Sequence, residues 1–488
     1  MGALVAIADR RNMRNVVPAA IRMLQCLSER GSDSFGLATS DQVHWSDSLG
    51  QLSKMQMHSP VVVGYGLKRI FLKDTPQPIA SNELRLVFEG RIYPTSEASD
   101  CDRALSWIKE NTGLGLRKFV REVDSSYAVA TLEDGRLSIA RDPLGCKPLY
   151  LGEKEGIVAF ASERKALWAI AVDSPIPLLP GAVETVSEGT ASMQQPDVIE
   201  PSACEETELD SAARRLSELL VESIMKRAGD SRRVAVAYSG GVDSAVVASS
   251  SRLAGLNVEL FTVTMRGNGE LEHAEKSAEA LGLRLAAKRF SLSDLRQVIP
   301  KVLWRIEKPD VMNLAIAVPM FWTAQLAEEN GFQLIFAGQG ADELFGGYDR
   351  YIAAYQRQGP EEAGRLMTRD IQNLSGSSFE RDEQATSGSR VDLRLPFADR
   401  NLVRYVLSLP LHLKIGGVEE ALQKHVLRRV AQLQEIPRFI SEKPKRALQY
   451  ATGVEAAIRL VAGQEGLAPH EYVSRCYDQV RGNQHDMA

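Results

Sequence analysis

Two rhythms of apolar positions divide the chain. Up to about residue 190, short apolar runs are separated by turn residues: GALVAIA from Gly2, VVVGYG from Val61, LRLVFEGRIY from Leu84, SYAVATLEDGRLSIARD from Ser126 and GIVAFAS from Gly156. Such runs predict strands, and Asp134-Gly135 between two of them predicts a tight hairpin. Helical spacing interrupts them at PAAIRMLQCLSER and DCDRALSWIKENTG, so this half reads as antiparallel sheets packed with helices. Its first strand starts at the first residues, where chain ends usually fray, which places that terminus at a structural or chemical centre.

The polar, proline-containing stretch QQPDVIEPSACEETELD reads as a linker. Beyond it the rhythm changes. ELDSAARRLSELLVESIMKRA has helical spacing, RRVAVAYSGG is an apolar strand, VDSAVVASSSRLAG a helix and NVELFTVTM another strand, and the alternation runs on through LIFAGQGADELFGGY. This predicts a parallel α/β sheet covered on both faces. The expected division is a domain over 1–190, a linker over 191–207 and a second domain over 208–488. The glycine- and serine-rich NLSGSSFERDEQATSGSR reads as a mobile segment.

Composition narrows the function classes. At 488 residues, 44% hydrophobic, 25% charged and net charge −5, the chain matches an average soluble multidomain protein and carries no strongly basic field for nucleic acid. No apolar run reaches the length of a membrane span and no leader pattern opens the chain, so the expectation is a cytoplasmic protein with no membrane partner. Five scattered cysteines and seven dispersed histidines favour neither a disulfide framework nor a transition-metal site.

The chemistry concentrates in Ser239, Gly240, Gly241, Val242, Asp243 and Ser244, set between a buried strand and a helix. Two glycines allow a tight turn and close backbone approach, and free N–H groups at a helix start favour an anion. An ordinary strand-to-helix turn capped by serine and aspartate would look similar. Against that stands Asp243, which would repel phosphate unless a cation lay between them, and magnesium is the natural bridging ion.

SGGxDS in this setting resembles the pyrophosphate loop of the N-type ATP pyrophosphatases. GQGADELFGGYDRY, RVDLRLPFADRNLVRYVLSLP, KHVLRR and EKPKRALQYATGV follow in the order seen in asparagine synthetases and their β-lactam synthetase relatives. The resemblance implies a two-domain α/β protein: an N-terminal αββα sandwich like the Ntn hydrolases, then a parallel α/β domain like the adenine nucleotide α-hydrolases, or PP-loop domains. It implies ATP and Mg2+ as cofactors, and activation of a carboxylate as an acyl-adenylate for attack by ammonia or an amine. Asp243 and Asp342 match the family's magnesium ligands, and Lys445 its active-site lysine, with Lys443 as the rival register. Asp392, Arg394 and Arg381 match polar positions around the substrate pocket, and Val263 and Gly338 match positions near the adenine.

Two departures bear on the acceptor. Gln339 stands where the family has a carboxylate, and an amide cannot take a proton. Ala315 falls where glutamine-dependent asparagine synthetases tend to have an arginine near aspartate. Asparagine formation, a β-lactam-synthetase-like reaction on another substrate, ligation on a modified base in RNA, against which the net charge of −5 counts, and a non-catalytic nucleotide-binding regulator are the competing readings. The oligomeric state stays open.

The first half resembles the class II glutamine amidotransferase domain, whose nucleophile is a cysteine at position 2 activated by its own amine. Here position 2 is Gly2. Arg30 and Asp100 remain at positions that hold glutamine in the family. Glu89 and Arg91, in FEGRIYP, replace an oxyanion-hole asparagine and a glutamate that contacts the ligand. The expectation is a domain that does not hydrolyse glutamine.

Overall fold

The computed structural model describes residues 2–111, 115–202, 208–415, 423–444 and 448–485. A first unit runs through Val198 and a second from Ile199 to Arg481.

The opening strand Gly2–Asp9 is buried at every position because both of its faces are covered. It lies fourth in a seven-stranded sheet, antiparallel to Ile157–Ala161 on one side and Val61–Leu67 on the other. Successive strand side chains point to opposite faces, so Ala3, Val5 and Ile7 join a core with the Val17–Cys26 helix, while Leu4, Ala6 and Ala8 join a second core. That second core also holds Val87, Ala128 and Ile139, from a six-stranded antiparallel sheet. The outer face of the six-stranded sheet packs Phe88, Tyr127 and Val129 against Ala104 of helix Asp100–Glu110 and Phe119 of helix Gly115–Glu122. Three cores between four layers make an αββα sandwich. The hairpin expected at Asp134-Gly135 is present, with positive φ at both residues, as a type I′ turn requires. Strand Thr190–Gln194 continues this unit into the stretch read as linker. Being an exposed edge strand, it carries polar residues that hide it in the sequence.

In the second unit five parallel strands lie in the order Arg284–Phe290, Asn257–Met265, Arg233–Ala237, Leu334–Phe336, Asp392–Arg394. The chain builds outward from Arg233–Ala237 to one edge and then returns to its other side. Such a reversal opens a crevice at the carboxyl ends of the two central strands.

The segment expected to be mobile is instead ordered and buried. Ser375–Phe379 forms a π-helical turn leading into helix Glu380–Thr386, all of whose residues are buried. Its charges are matched in place: Lys308 reaches Glu380 at 3.2 Å and Arg381 pairs with Asp382 at 2.8 Å. Polarity there marks a satisfied charge network rather than a solvated loop. Among the described cysteines, Cys26, Cys101, Cys146 and Cys476 are free thiols, and Cys204 lies outside the described residues. No helix among the described residues is long and apolar enough to cross a membrane.

Candidate active site

The loop Ser239–Ser244 leaves the central strand Arg233–Ala237 and enters helix Val242–Leu253 at its N-terminus. Gly240 adopts φ +73°, and a Cβ there would sit 2.9 Å from the His273 ring, so glycine is required on both counts. His273 Nε2 holds the Gly240 carbonyl at 3.0 Å. The Ser244 hydroxyl donates to the Gly241 carbonyl at 3.1 Å and lies 3.2 Å from that of Ser239. The loop is thus internally braced at the positive end of a twelve-residue helix.

The neighbouring central strand, Leu334–Phe336, delivers the second set. Gly338 faces Asp243 so closely that a Cβ would stand 3.2 Å from the aspartate Cβ. Four residues on, Asp342 lies in the first turn of helix Ala341–Phe345. Between the two acids stands Lys424, 2.6 Å from Asp342 and 2.6 and 2.7 Å from the two Asp243 oxygens. Lys424 has a left-handed φ of 64° at the start of helix His425–Leu433 and is fully buried. Burial pulls its ammonium pKa down, but Asp243 and Asp342 outweigh that and hold it above its ordinary value. KHVLRR was recognisable in the sequence, yet nothing there assigned Lys424 to the gap between the acids.

These residues border a cavity of about 400 Å³. Its wall gathers Ser239, Gly241, Asp243, Ser244, Val263, Gly338, Gln339 and Asp342, with Arg381, Lys424, Arg428 and Lys443. Lys443 pairs with Glu270 at 3.1 Å, and Lys445 lies outside the described residues. Burial lowers the Arg428 pKa, opposed by the Asp243 charge, and Arg428 Nε donates to the Gln423 carbonyl at 2.6 Å. Tyr348 donates to the buried Glu343 at 2.9 Å, and burial followed by the Glu343 charge pushes its phenol pKa well up.

Asp392 and Arg394 do not join this wall. They sit two apart on the edge strand Asp392–Arg394, face the same side and pair at 2.8 Å. Arg394 also donates to the Arg227 carbonyl, and Arg227 in turn pairs with Asp399 at 3.0 Å. Asp392, expected near the substrate pocket, thus has its carboxylate in a buried network with Arg394, which reaches the Arg227 carbonyl. Ala315 is fully buried, and the cavity side of helix Val311–Glu329 is formed by Met312, Ile316 and Met320 instead.

The first unit contains a second cluster of buried charge. Arg30 donates to the Gly2 carbonyl at 2.8 Å and pairs with Glu89 at 2.5 Å and Glu163 at 3.2 Å. Ser162 donates to the same Glu89, and Lys165 reaches Glu163 at 2.6 Å. Burial pushes the Glu163 pKa up, but Lys165 and then Arg30 hold it below its ordinary value. Arg91, two residues beyond Glu89 on strand Leu84–Ile92, pairs with Asp74 at 2.5 Å and Asp100 at 3.3 Å. Arg30 and Asp100 are therefore buried, ion-paired charges rather than surface ones. Glu89 engages Arg30, and Arg91 engages Asp100. At Gly2 a Cβ would lie 2.3 Å from the Gly66 carbonyl oxygen and 2.5 Å from the Tyr65 hydroxyl.

A pyrophosphate-type loop at the switch point of a parallel sheet, preceded in the chain by an αββα sandwich, defines the class: a two-domain α/β protein with a PP-loop second domain. Family models agree. One for asparagine synthase matches residues 215–362 and 352–479, and one for a glutamine amidotransferase domain matches 72–169. The chain belongs to the asparagine synthase family. It is 28% identical over 521 aligned residues to a protein of Methanocaldococcus jannaschii described as putative asparagine synthetase 1, glutamine-hydrolyzing, covering 92% of this chain and 93% of that one. It is 26% identical to asparagine synthetase 2, glutamine-hydrolyzing, of Arabidopsis thaliana, over 73% of this chain but only 62% of the plant protein. A solved glutamine phosphoribosylpyrophosphate amidotransferase from B. subtilis, with ADP and GMP, aligns with a TM-score of 0.36 at 14% identity, covering 58% of this chain and 65% of that one. That likeness is too slight to carry an argument.

Proposed function

We propose that the protein is an ATP-dependent amide ligase that forms AMP and pyrophosphate. A carboxylate oxygen attacks the α-phosphorus of ATP, the α–β anhydride bond breaks and pyrophosphate leaves, giving an acyl-adenylate. The lone pair of ammonia or an amine then attacks the acyl carbon, AMP departs with the bonding electrons, and the nitrogen loses a proton. The observation that carries this reading is the convergence of Asp243 and Asp342 on Lys424 beside the Ser239–Ser244 loop.

The loop's backbone N–H groups and the helix dipole would receive the pyrophosphate, with Lys424 and Arg428 beside it. Two carboxylates that share one ammonium are spaced to share a cation, so Asp243 and Asp342 fit Mg2+ and would hold it. When bound, that ion supplies positive charge to the phosphates. Val263 and Gly338 would accommodate the adenine. Lys443, from the cavity wall, and Lys445 are the candidates for the cation that stabilises charge at the reacting carbonyl. Substituting Asp243 by Ala should abolish pyrophosphate release in a panel of carboxylates with ammonia and Mg-ATP. Unchanged release would refute the site.

The relatives are described as glutamine-hydrolyzing. For this chain we infer that the first unit does not hydrolyse glutamine. Gly2 offers neither a thiol nor room for one, and the Glu89 and Arg91 side chains engage the groups that would otherwise meet the ligand's charges. Nitrogen would then come from free ammonia or from a substrate amine, and aspartate is the simplest acceptor to test. Glutamate release above background from purified protein given glutamine would overturn this part.

A further inference from the structure

Gln339 lies one residue from Gly338, which abuts Asp243, and its Nε2 lies 4.0 Å from Met320 Sδ. It therefore stands where the phosphate end of the cavity meets the apolar wall of Met312, Ile316 and Met320. Its Nε2 donates to Asp382. Asp382 is fully buried and paired with Arg381 at 2.8 and 3.2 Å. A carboxylate held in an ion pair only accepts hydrogen bonds, so the amide cannot turn round without losing that bond. This fixes the Gln339 orientation. Oε1 remains as the free group of a wall residue and has no protein partner among the described residues. Arg381 also borders the cavity, but its guanidinium is committed to Asp382.

We propose that Gln339, locked by the Asp382–Arg381 pair, selects an acceptor whose tail presents a neutral N–H or O–H group, such as a carboxamide or hydroxyl, and rejects a second carboxylate. A donor on the tail meets Oε1 and forms a hydrogen bond. A carboxylate there meets an acceptor oxygen and a thioether, and loses its hydration beside a guanidinium already taken by Asp382. Gln339 is thus a specificity residue, and Asp382 is the residue that positions it. The proposal rests on reading this cavity as an acyl-adenylate site.

The test uses three stable acyl-adenylate analogues, 5′-O-(N-acylsulfamoyl)adenosines with succinamoyl, succinyl and pentanoyl groups, titrated into the full chain by calorimetry. The amide-tailed compound should bind about tenfold tighter than the carboxylate-tailed one, the worth of one hydrogen bond gained against one acceptor stranded. Asp382→Asn lets the Gln339 amide turn either way and should bring that ratio within about threefold. Gln339→Met, which keeps the shape and removes Oε1, should do the same and covers the case in which Asp382→Asn does not fold. Equal or tighter binding of the carboxylate-tailed compound overturns the proposal, as does a ratio that survives in both variants. Failure of all three analogues and of ATP itself to bind refutes the nucleotide-site reading beneath it, and the proposal falls with that reading.

Discussion

Both units bury clusters of opposite charge, and the two clusters differ in what they leave over. In the first unit Arg30 is shared by Glu89 and Glu163, and Arg91 by Asp74 and Asp100. Backbone and tyrosine fill the space beside Gly2. In the second unit one ammonium serves two aspartates at the edge of a cavity of about 400 Å³. The lesson concerns balance. A charge matched by its own chain and closed over is structure, whereas an acid-rich pair that opens on a cavity invites a cation and a phosphate.

The largest expected effect breaks the open cluster. Asp243→Asn keeps the shape and removes the charge, and should lower ATP-dependent pyrophosphate release by at least about 100-fold, the scale of losing a transition-state charge partner. A variant within tenfold of the parent would remove the distinction between the units.

Next comes the closed cluster. Arg30→Met strands Glu89 as a buried charge, Glu163 keeping Lys165, and should cost about 3–5 kcal/mol in a denaturant titration of the first unit's transition. A cost under about 1 kcal/mol would mean the pair is not desolvated as described. Gly2→Cys supplies a thiol but forces its Cβ against the Gly66 carbonyl. It should destabilise by about 1–3 kcal/mol, as overpacking does, and leave glutaminase at background. Recovery of glutamine hydrolysis would show that the closed pocket still binds ligand.

The smallest effect sharpens the contrast through pH. Burial pushes Asp74 up, yet the Arg91 guanidinium helps hold its pKa below the ordinary 3.8, and Glu163 is likewise held below 4.5. Depressed folded pKa values contribute stability above the unfolded values, and that stability is lost as pH falls through the folded ones. The first unit should therefore hold its melting temperature down to about pH 4.5, with the loss concentrated below the ordinary carboxylate range. Arg30→Met should reduce the Glu163 part of that loss without removing it, since Lys165 stays.

Much of this was legible in the chain, for physical reasons that particular residues make plain. Gly2–Asp9 is apolar throughout because it separates two cores, and Asp134-Gly135 declares its hairpin through the backbone conformation it needs. The Ser239–Ser244 loop is readable because its geometry is local. What was not legible depends on pairs distant in sequence. Glu89 and Arg91 read as losses, since their partners Arg30 and Asp74 reach them across the sheets. Lys424 meets Asp243 across 181 residues, and no local pattern reports such a contact. Helix Glu380–Thr386 was hidden because its buried polar side chains find distant partners, Lys308 for Glu380 and Glu307 for Gln384, and polarity is what marks a loop in sequence.

The contrast between the units is tested most directly by following two products in one reaction: protein, Mg-ATP, glutamine and a carboxylate panel, with and without ammonium, measuring pyrophosphate and glutamate together. The account predicts pyrophosphate and AMP in equal amounts when ammonium or a reactive amine is present, with glutamate at the level of the protein-free control. Glutamate released in step with pyrophosphate, from glutamine alone, would contradict it.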